Sequence, residues 1–334
     1  MQIIDFVLTY LDSNDIDWQK QRNLYKYGEN ADVNPNRYRD WDNLMYFFRS
    51  VEKYAPWVRK VHIVTWGHLP SWLNTANPKL NVVKHEDYIP KEWLPTFSSR
   101  CIDMNLHRIP GIAEQFVYFN DDMFLTAPVK PEDFFKNGLP CDSAVLSPQA
   151  FKLTDGLSMH IAPIVGTAVI NKNFNKKEII KKNLGKWFTP KYGKELFRTL
   201  TLAAYPNFIG FRNPHIPYSY LKSTYETVWT KEPELMRKAS EHRFREVTDL
   251  NHWIFTYWQY ATAKFEPRKA SFGRCFQIHD YKDACDTAAS IRSHKYKVVC
   301  ANDGIADDKD FDKIVKCVND SLHSILKEKS KFEK

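Results

Sequence analysis

Three adjacent polar side chains, Asn120-Asp121-Asp122, interrupt an otherwise apolar run between Phe116 and Leu125. Such groups do not sit in an apolar environment without partners, and neighbouring carboxylates repel unless a cation relieves them. An oxygen-rich cluster of this kind suits Mg2+ or Mn2+, with substrate phosphate filling the remaining positions. The competing reading is a surface turn, where Asn and Asp are common, but the chain returns at once to Met123-Phe124-Leu125. Other acids stand at Asp12 and Asp15, at Asp40 and Asp42, and at Asp303; the first and last of these groups could join Asp121 and Asp122 around one metal. Arg37, Arg39 and Arg49 flank the Asp40 group. Guanidinium grips phosphate oxygens two at a time, although each arginine alone also reads as an ordinary surface ion pair. His215 lies in Asn213-Pro214-His215-Ile216-Pro217. The two prolines stiffen that segment and aim the imidazole, and histidine suits removal of a proton from a hydroxyl near neutral pH. A lone histidine is more commonly structural. His242-Arg243-Phe244-Arg245, followed by Asp249, places positive charge opposite the acidic loops.

These residues need elements to carry them. Residues 116–119 form an aromatic and β-branched run that reads as a strand buried on both faces. Residues 3–10, 60–65 and 80–83 read as earlier strands. Between them, Leu44, Phe47, Phe48, Val51 and Tyr54 keep helical spacing behind Asp40-Trp41-Asp42-Asn43, and Pro56 stops that helix. A short helix is expected at Pro70-Ser71-Trp72-Leu73, and another behind Ser98 or Ser99. Residues 16–36 lack periodicity and read as a loop. Strands alternating with helices on short connections argue an α/β fold with a Rossmann-like, doubly wound, mostly parallel sheet. In such sheets ligands bind beyond the carboxyl ends of the strands, where the acidic loops would lie.

The second half is less regular. Residues 164–170 read as a strand; 176–184, 194–203, 220–227 and 249–263 read as helices. Residues 297–301 read as a late strand returning to the sheet edge, and 308–327 as a closing amphipathic helix. The expected organisation is an α/β core over 1–171, a helical insertion over 172–270 that brings His215 and Arg245, and a return to the core over 271–334. The basic tail around Lys327-Glu328-Lys329-Ser330-Lys331 reads as a solvated, frayed end.

A formal charge of +8 and a pI near 9.0 call for an anionic partner: nucleic acid, nucleotide, phosphorylated sugar or anionic membrane. No Gly-rich phosphate loop of the Walker or dinucleotide kind occurs. The six cysteines show no Cys-x-x-Cys pair or zinc grouping and read as free thiols in a reducing compartment. No apolar run is long enough to span a bilayer. A cytoplasmic enzyme is expected, in solution or peripheral to the inner face of the membrane. The residues alone reach a metal-dependent enzyme acting on a phosphorylated, nucleotide-linked substrate and do not choose between sugar transfer and phosphoryl transfer.

Several stretches together resemble the Stealth family of hexose-1-phosphate transferases. That family includes capsular and exopolysaccharide phosphotransferases and the catalytic subunit of the animal N-acetylglucosamine-1-phosphotransferase. The resemblance begins in residues 4–15 and runs from Arg37-Tyr38-Arg39-Asp40 through Leu106-His107-Arg108-Ile109-Pro110-Gly111 to Phe119-Asn120-Asp121-Asp122. It resumes at His215-Ile216-Pro217, Arg245 and Asp249, and ends in Val299-Cys300-Ala301-Asn302-Asp303. It implies transfer of a hexose-1-phosphate, by default N-acetylglucosamine-1-phosphate, from a UDP-sugar to a hydroxyl of a polysaccharide or lipid-linked oligosaccharide, with UMP released and no nucleic acid involved. Residue by residue it implies metal binding at Asp122 beside Asn120 and Asp121. His215 falls on the catalytic position and Arg245 on the phosphate-binding one. Asp103 stands where the family has a glutamate. Asp5, Asp12, Arg37 and Asp40 fall on site-lining positions, with Asp249 and Asn302 in the later blocks. Thr9-Tyr10-Leu11 replaces the family's Thr-Trp-Val, which bears on a stacking surface near the nucleotide, while Asn43 replaces a common glutamate and Met45 a common arginine, which bear on donor preference. The rival reading is a metal-dependent glycosyltransferase that releases UDP.

Overall fold

The computed structural model describes residues 2–26, 39–150, 157–305 and 308–334. The central sheet forms from β1 (Ile4–Thr9), β2 (Val61–Thr65), β3 (Leu80–Lys84) and β4 (Gln115–Phe119), each short; β1, β2 and β4 are buried along most of their length, whereas β3 is buried at Leu80 and Val83. β1 pairs parallel with both β2 and β4, and β2 with β3. All four carboxyl ends therefore open on one edge. β5 (Met123–Leu125) leaves β4 through a tight turn made of the Asn-Asp-Asp triplet, closed by the Met123 amide on the Asn120 carbonyl at 3.2 Å. The turn reading and the acidic-edge reading thus both describe this stretch.

β6 (Phe135–Lys136) and β7 (Leu139–Asp142) form a hairpin further on. β8 (Tyr218–Leu221) then joins the central sheet antiparallel to β4, giving the order β3-β2-β1-β4-β8. Its reversed direction matters, because the chain enters β8 at the edge where the parallel strands end. His215, three residues before β8, is delivered there from far along the sequence. β9 (Glu266–Pro267) pairs with β7. β10 (Gly273–Ile278) and β11 (Val298–Asp303) run parallel, and β11 lies antiparallel to β5 with Cys300 opposite Met123. The late strand therefore returns beside the acidic turn, but in a separate three-stranded sheet of order β10-β11-β5 rather than on the edge of the central sheet.

The core on one face is the helix Leu44–Tyr54, whose Leu44, Phe47, Phe48, Val51 and Tyr54 are buried. Phe47 packs edge-on against Phe119 at 5.2 Å, and Phe119 lies 4.8 Å from Phe6. On the other side the helix Trp253–Ala261 is buried at every residue.

Several expectations change. Residues 164–170 lie in the helix Leu157–Asn173 rather than in a strand. Ile164 and Ala168 are exposed while 162, 163, 166, 167, 169 and 170 are buried, which is helical spacing hidden in a β-branched run. Gly166 lets Tyr257 approach so closely that an added Cβ would sit 3.2 Å from its ring. Residues 220–227 divide between the end of β8 and the helix Lys222–Lys231. Residues 172–270 therefore supply helices and one strand of the main sheet. Residues 16–26 form a helix around buried Trp18, and residues 27–38, Arg37 included, lie outside the described residues. Pro70-Ser71-Trp72-Leu73 is a turn in which Leu73 bridges to Glu333. Asn43 precedes its helix but makes no side-chain cap bond, and neither does Ser98. The basic tail is docked: Phe332 is buried against Phe48, and buried Arg49 makes a two-point pair with Glu333 at 2.7 and 2.9 Å. Arg49 thus ties down the carboxyl terminus rather than facing a phosphate.

Candidate functional site

At the carboxyl edge of the sheet lies one cleft with two lobes. The first, about 240 Å3, is walled by Trp18, Phe97, Phe244 and Trp253 with Asp103 and Arg245. The second, about 530 Å3, is walled by Asp40, Asp121, Asp122, Asn302 and Asp303 with Arg39 and Arg245. Tyr10, Leu11, Asn120, Asp121, His215 and Arg245 line both lobes.

Asp122 organises the second lobe. Its Oδ2 accepts from the Asn302 amide at 3.0 Å and from the Cys300 thiol at 3.1 Å. Cys300 and Asn302 are two apart on β11 and so share a face. The Ala301 amide donates to the Asp122 carbonyl at 2.9 Å, which clamps the turn to the strand. Asp122 Oδ1 is buried and, among the described residues, has no hydrogen-bond partner. A buried carboxylate oxygen left unmet calls for an explanation, and a bound cation is the simplest. Asp122, His215 and Cys300 lie close enough to share an ion. Burial holds the Cys300 thiol protonated, far above its ordinary range, and the thiol spends its proton on Asp122. The donor set available is therefore carboxylate and amide oxygen, which fits Mg2+ or Mn2+ better than a thiolate metal. Asp121 keeps an exposed surface, yet the protein packed around the cleft, then the Asp122 and Asp40 charges, push its carboxyl up to about 7. Asp303 faces the same lobe, where Arg39 grips it at 3.1 and 3.2 Å and Trp41 Nε1 donates to it at 3.3 Å.

His215 Nε2 stands 3.8 Å from Asp122 Oδ2. Its backbone has φ +47°, a left-handed conformation costly for a non-glycine residue and typical of positions held for function. Tyr218 Oη accepts from Trp253 Nε1 at 2.8 Å and lies 3.5 Å from His215 Nδ1, steadying the ring. Neither Tyr218 nor Cys300 stands out as a site residue in the sequence. The signal for Cys300 was strand alternation with Asn302; Tyr218 carries none until β8 is known to run antiparallel.

In the first lobe, buried Asp103 accepts from Tyr118 Oη at 2.7 Å. Desolvation pushes its carboxyl up to about 7, opposed by Tyr118, Arg245 and Arg100. Arg245 donates to Ser99 Oγ at 2.6 Å. Asp249 is buried behind this loop, bonded to His242 Nδ1 at 2.6 Å and to the Glu246 amide at 2.9 Å, with Arg100 at 3.8 Å. It shapes the segment that presents Arg245 and does not line either lobe.

Two residues lie elsewhere. Asp5 sits near the amino end of β1, fully buried, taken up by Arg59, by His62 at 3.1 Å and by the Ala113 amide at 2.8 Å. Although burial opposes ionisation, these partners hold its carboxyl down to about 2. Asp12 turns to its own loop: its carboxylate accepts from the Asn14 amide at 2.9 Å, and its amide donates to His68 at 2.7 Å. The acids that share the second lobe are thus Asp40, Asp121, Asp122 and Asp303, without Asp12 or Asp15.

An α/β sheet whose carboxyl edge gathers carboxylates, a histidine at positive φ and an arginine on one cleft is the framework of an enzyme active site. A family model described as Stealth protein CR2, conserved region 2, matches residues 37–141. The capsular polysaccharide phosphotransferase WcwK of Streptococcus pneumoniae is 41% identical over 339 residues, covering 100% of this chain and 99% of the relative. The exopolysaccharide phosphotransferase cps2G of Lactiplantibacillus plantarum is 37% identical, covering 99% and 96%, and the receptor polysaccharide phosphotransferase WefC of Streptococcus gordonii is 38% identical, covering 99% and 98%. The chain belongs to the Stealth family, and it is an enzyme of the phosphotransferase class. No helix among the described residues is long and apolar enough to cross a membrane.

Proposed function

We propose that this enzyme builds a capsular or exopolysaccharide by moving a hexose-1-phosphate, by default N-acetylglucosamine-1-phosphate, from a UDP-sugar to a hydroxyl of a glycan acceptor, releasing UMP. The observation that carries the reading is the meeting of Asp122, His215 and Arg245, far apart in sequence, on one cleft, with Asp122 Oδ1 unmet. The aromatic lobe offers rings for stacking the uracil, and the acidic lobe suits the diphosphate with its cation. Mg2+ or Mn2+ held at Asp122, with Asp121 and Asn302 beside it, would neutralise charge on the diphosphate. Arg245 steadies the phosphate next to the sugar. With Nδ1 donating to Tyr218, His215 Nε2 takes the proton of the acceptor hydroxyl. The acceptor oxygen then bonds to the sugar-proximal phosphorus as that phosphorus parts from the bridging oxygen, which leaves with UMP. Asp103, nearly enclosed and linked to Tyr118, orients the first lobe. The acceptor is a polysaccharide or a lipid-linked oligosaccharide; exposed Phe197 and Leu200 on the helix Leu196–Leu202 favour a peripheral approach to a membrane. The test is to screen UDP-sugars with acceptor and separate the nucleotide products. Accumulation of UMP is expected, whereas UDP would assign the cleft to glycosyl transfer at the anomeric carbon.

A further inference from the structure

Behind His215 lies another cavity of about 590 Å3, bounded by residues 191–195, residues 212–215, the stretch from Ala270 to Gln277, and Tyr296. Among the described residues, His215 is the one side chain that this cavity shares with the two-lobed cleft. Its electrostatics are the reverse of the acidic lobe. Lys191, Lys194, Arg212 and Arg274 stand in its wall against the single carboxylate of Glu195. The Oε2 of that carboxylate lies 3.2 Å from Arg198 Nε and 3.8 Å from Arg212 Nε, ion-pair distances with no hydrogen bond to it among the described residues. Among the described residues, buried Arg212 Nη1 has no hydrogen-bond partner, and a buried donor in that state calls for one.

The wall is also fixed in place. Lys191 Nζ donates to the Pro267 carbonyl at 2.9 Å, and the Ala270 amide to the Lys191 carbonyl at 3.2 Å. Arg274 lies 4.8 Å over the Phe276 ring and 3.4 Å from the Tyr296 hydroxyl. Ile216, next to His215, packs on Gly273 so closely that an added Cβ would meet it at 3.2 Å and the Val298 carbonyl at 3.0 Å. The position of His215 is thereby tied to the cavity's floor. Four cations against one acid repel a metal ion and attract an anion. Asn213, Ser271, Gln277 and Tyr296 add hydroxyl and amide groups of the kind that bind sugar.

We infer that this cavity is the acceptor site and that its ligand is a glycan bearing phosphate. The inference rests on the transfer reaction proposed above: the donor lies in the cleft, the acceptor enters from the cationic side, and the two meet at His215. The acceptor O–P bond forms, the P–O bond to UMP breaks, and the hydroxyl proton passes to His215. The phosphate has two sources, a phosphodiester within the glycan or the diphosphate that joins it to a lipid carrier.

Both Lys194 and Arg274 are exposed, so the double variant K194E/R274E folds. Binding of an oligosaccharide with one internal phosphodiester is compared with binding of its phosphate-free counterpart, and UMP with Mg2+ is titrated separately. The wild-type protein binds the phosphorylated form about 10-fold tighter or more, and the double variant loses that preference while keeping UMP affinity. A short-chain prenyl-diphosphate oligosaccharide forms the second arm; whichever phosphate carries the preference identifies the source. Equal affinity for charged and neutral oligosaccharides in the wild-type protein, or an unchanged preference in the variant, overturns the inference. Loss of UMP affinity in the variant also overturns it, because the cavity would then serve the donor. A phosphate preference in a protein that fails to bind UMP with Mg2+ sustains the cavity assignment and refutes the donor reading instead.

Discussion

The two ends of the central sheet each hold an aspartate, a histidine and an arginine, and they are opposites. At the amino end, Asp5 is closed off: Arg59, His62 and the Ala113 amide take up its carboxylate, whose affinity for a proton falls accordingly. At the carboxyl end, Asp122 keeps one oxygen unmet, His215 is held at a left-handed φ, and the group opens onto a cleft. Similar residue types stabilise a fold when their valences are filled and leave room for a ligand when they are not.

The largest expected effect comes from breaking the open end. Asp122→Asn and His215→Gln should each lower turnover by about 10²-fold or more with little change in melting temperature. A loss of fold in both would move this end into the structural class. The closed end should answer the other way. Asp5→Asn should cost about 2–3 kcal/mol in denaturant unfolding, less than a fully buried pair because Arg59 keeps contact with water, while kcat per folded molecule stays unchanged. A lost kcat with intact stability would return Asp5 to the site.

The pH dependence sharpens the contrast further. The folded carboxyl of Asp5 lies near 2, below the ordinary 3.8, so its stabilisation is complete above about pH 4 and fades as pH falls towards 2. Asp103 is raised to about 7, so it costs nothing below about pH 4 and weighs increasingly on the fold as pH rises to 7. Melting temperature against pH should therefore fall relative to Asp103→Asn between pH 4 and 7, by a few degrees for every ~1 kcal/mol of stability lost. A flat difference would mean that Asp103 is not desolvated. The smallest effect expected is from Tyr218→Phe, which removes the hydroxyl beside His215 Nδ1 and should lower kcat by about 3- to 10-fold, with KM for the donor unchanged.

Much of this contrast was out of reach of the sequence. The four parallel strands were legible because each is a short apolar run ending in a polar loop, and their common carboxyl edge followed. β8 was not, since Tyr218-Ser219-Tyr220-Leu221 merges with the helical spacing that follows. The helix Leu157–Asn173 was masked by its β-branched residues. For the site, Asp122, Asp121, Asp303, Asn120, Asn302, Asp40, Asp103, Arg245 and His215 meet on the cleft. Asp5, Asp12 and Asp249 look the same in one dimension, but their partners come from residues 59 and 62, 14 and 68, and 242 and 100. Asp5 is satisfied by residues far along the chain, Asp12 by the Asn14 amide and Asp249 mainly by its own loop, and spacing alone does not report which of these occurs.

The most direct test of the central claim is the fate of the phosphorus next to the sugar. A UDP-sugar carrying radioactive phosphorus at that position is incubated with acceptor and the wild-type enzyme, with Asp122→Asn and His215→Gln alongside. The account predicts that label enters the glycan, that the released UMP is unlabelled, and that both variants lose the transfer. Label recovered in UDP, with an unlabelled glycan, would contradict it.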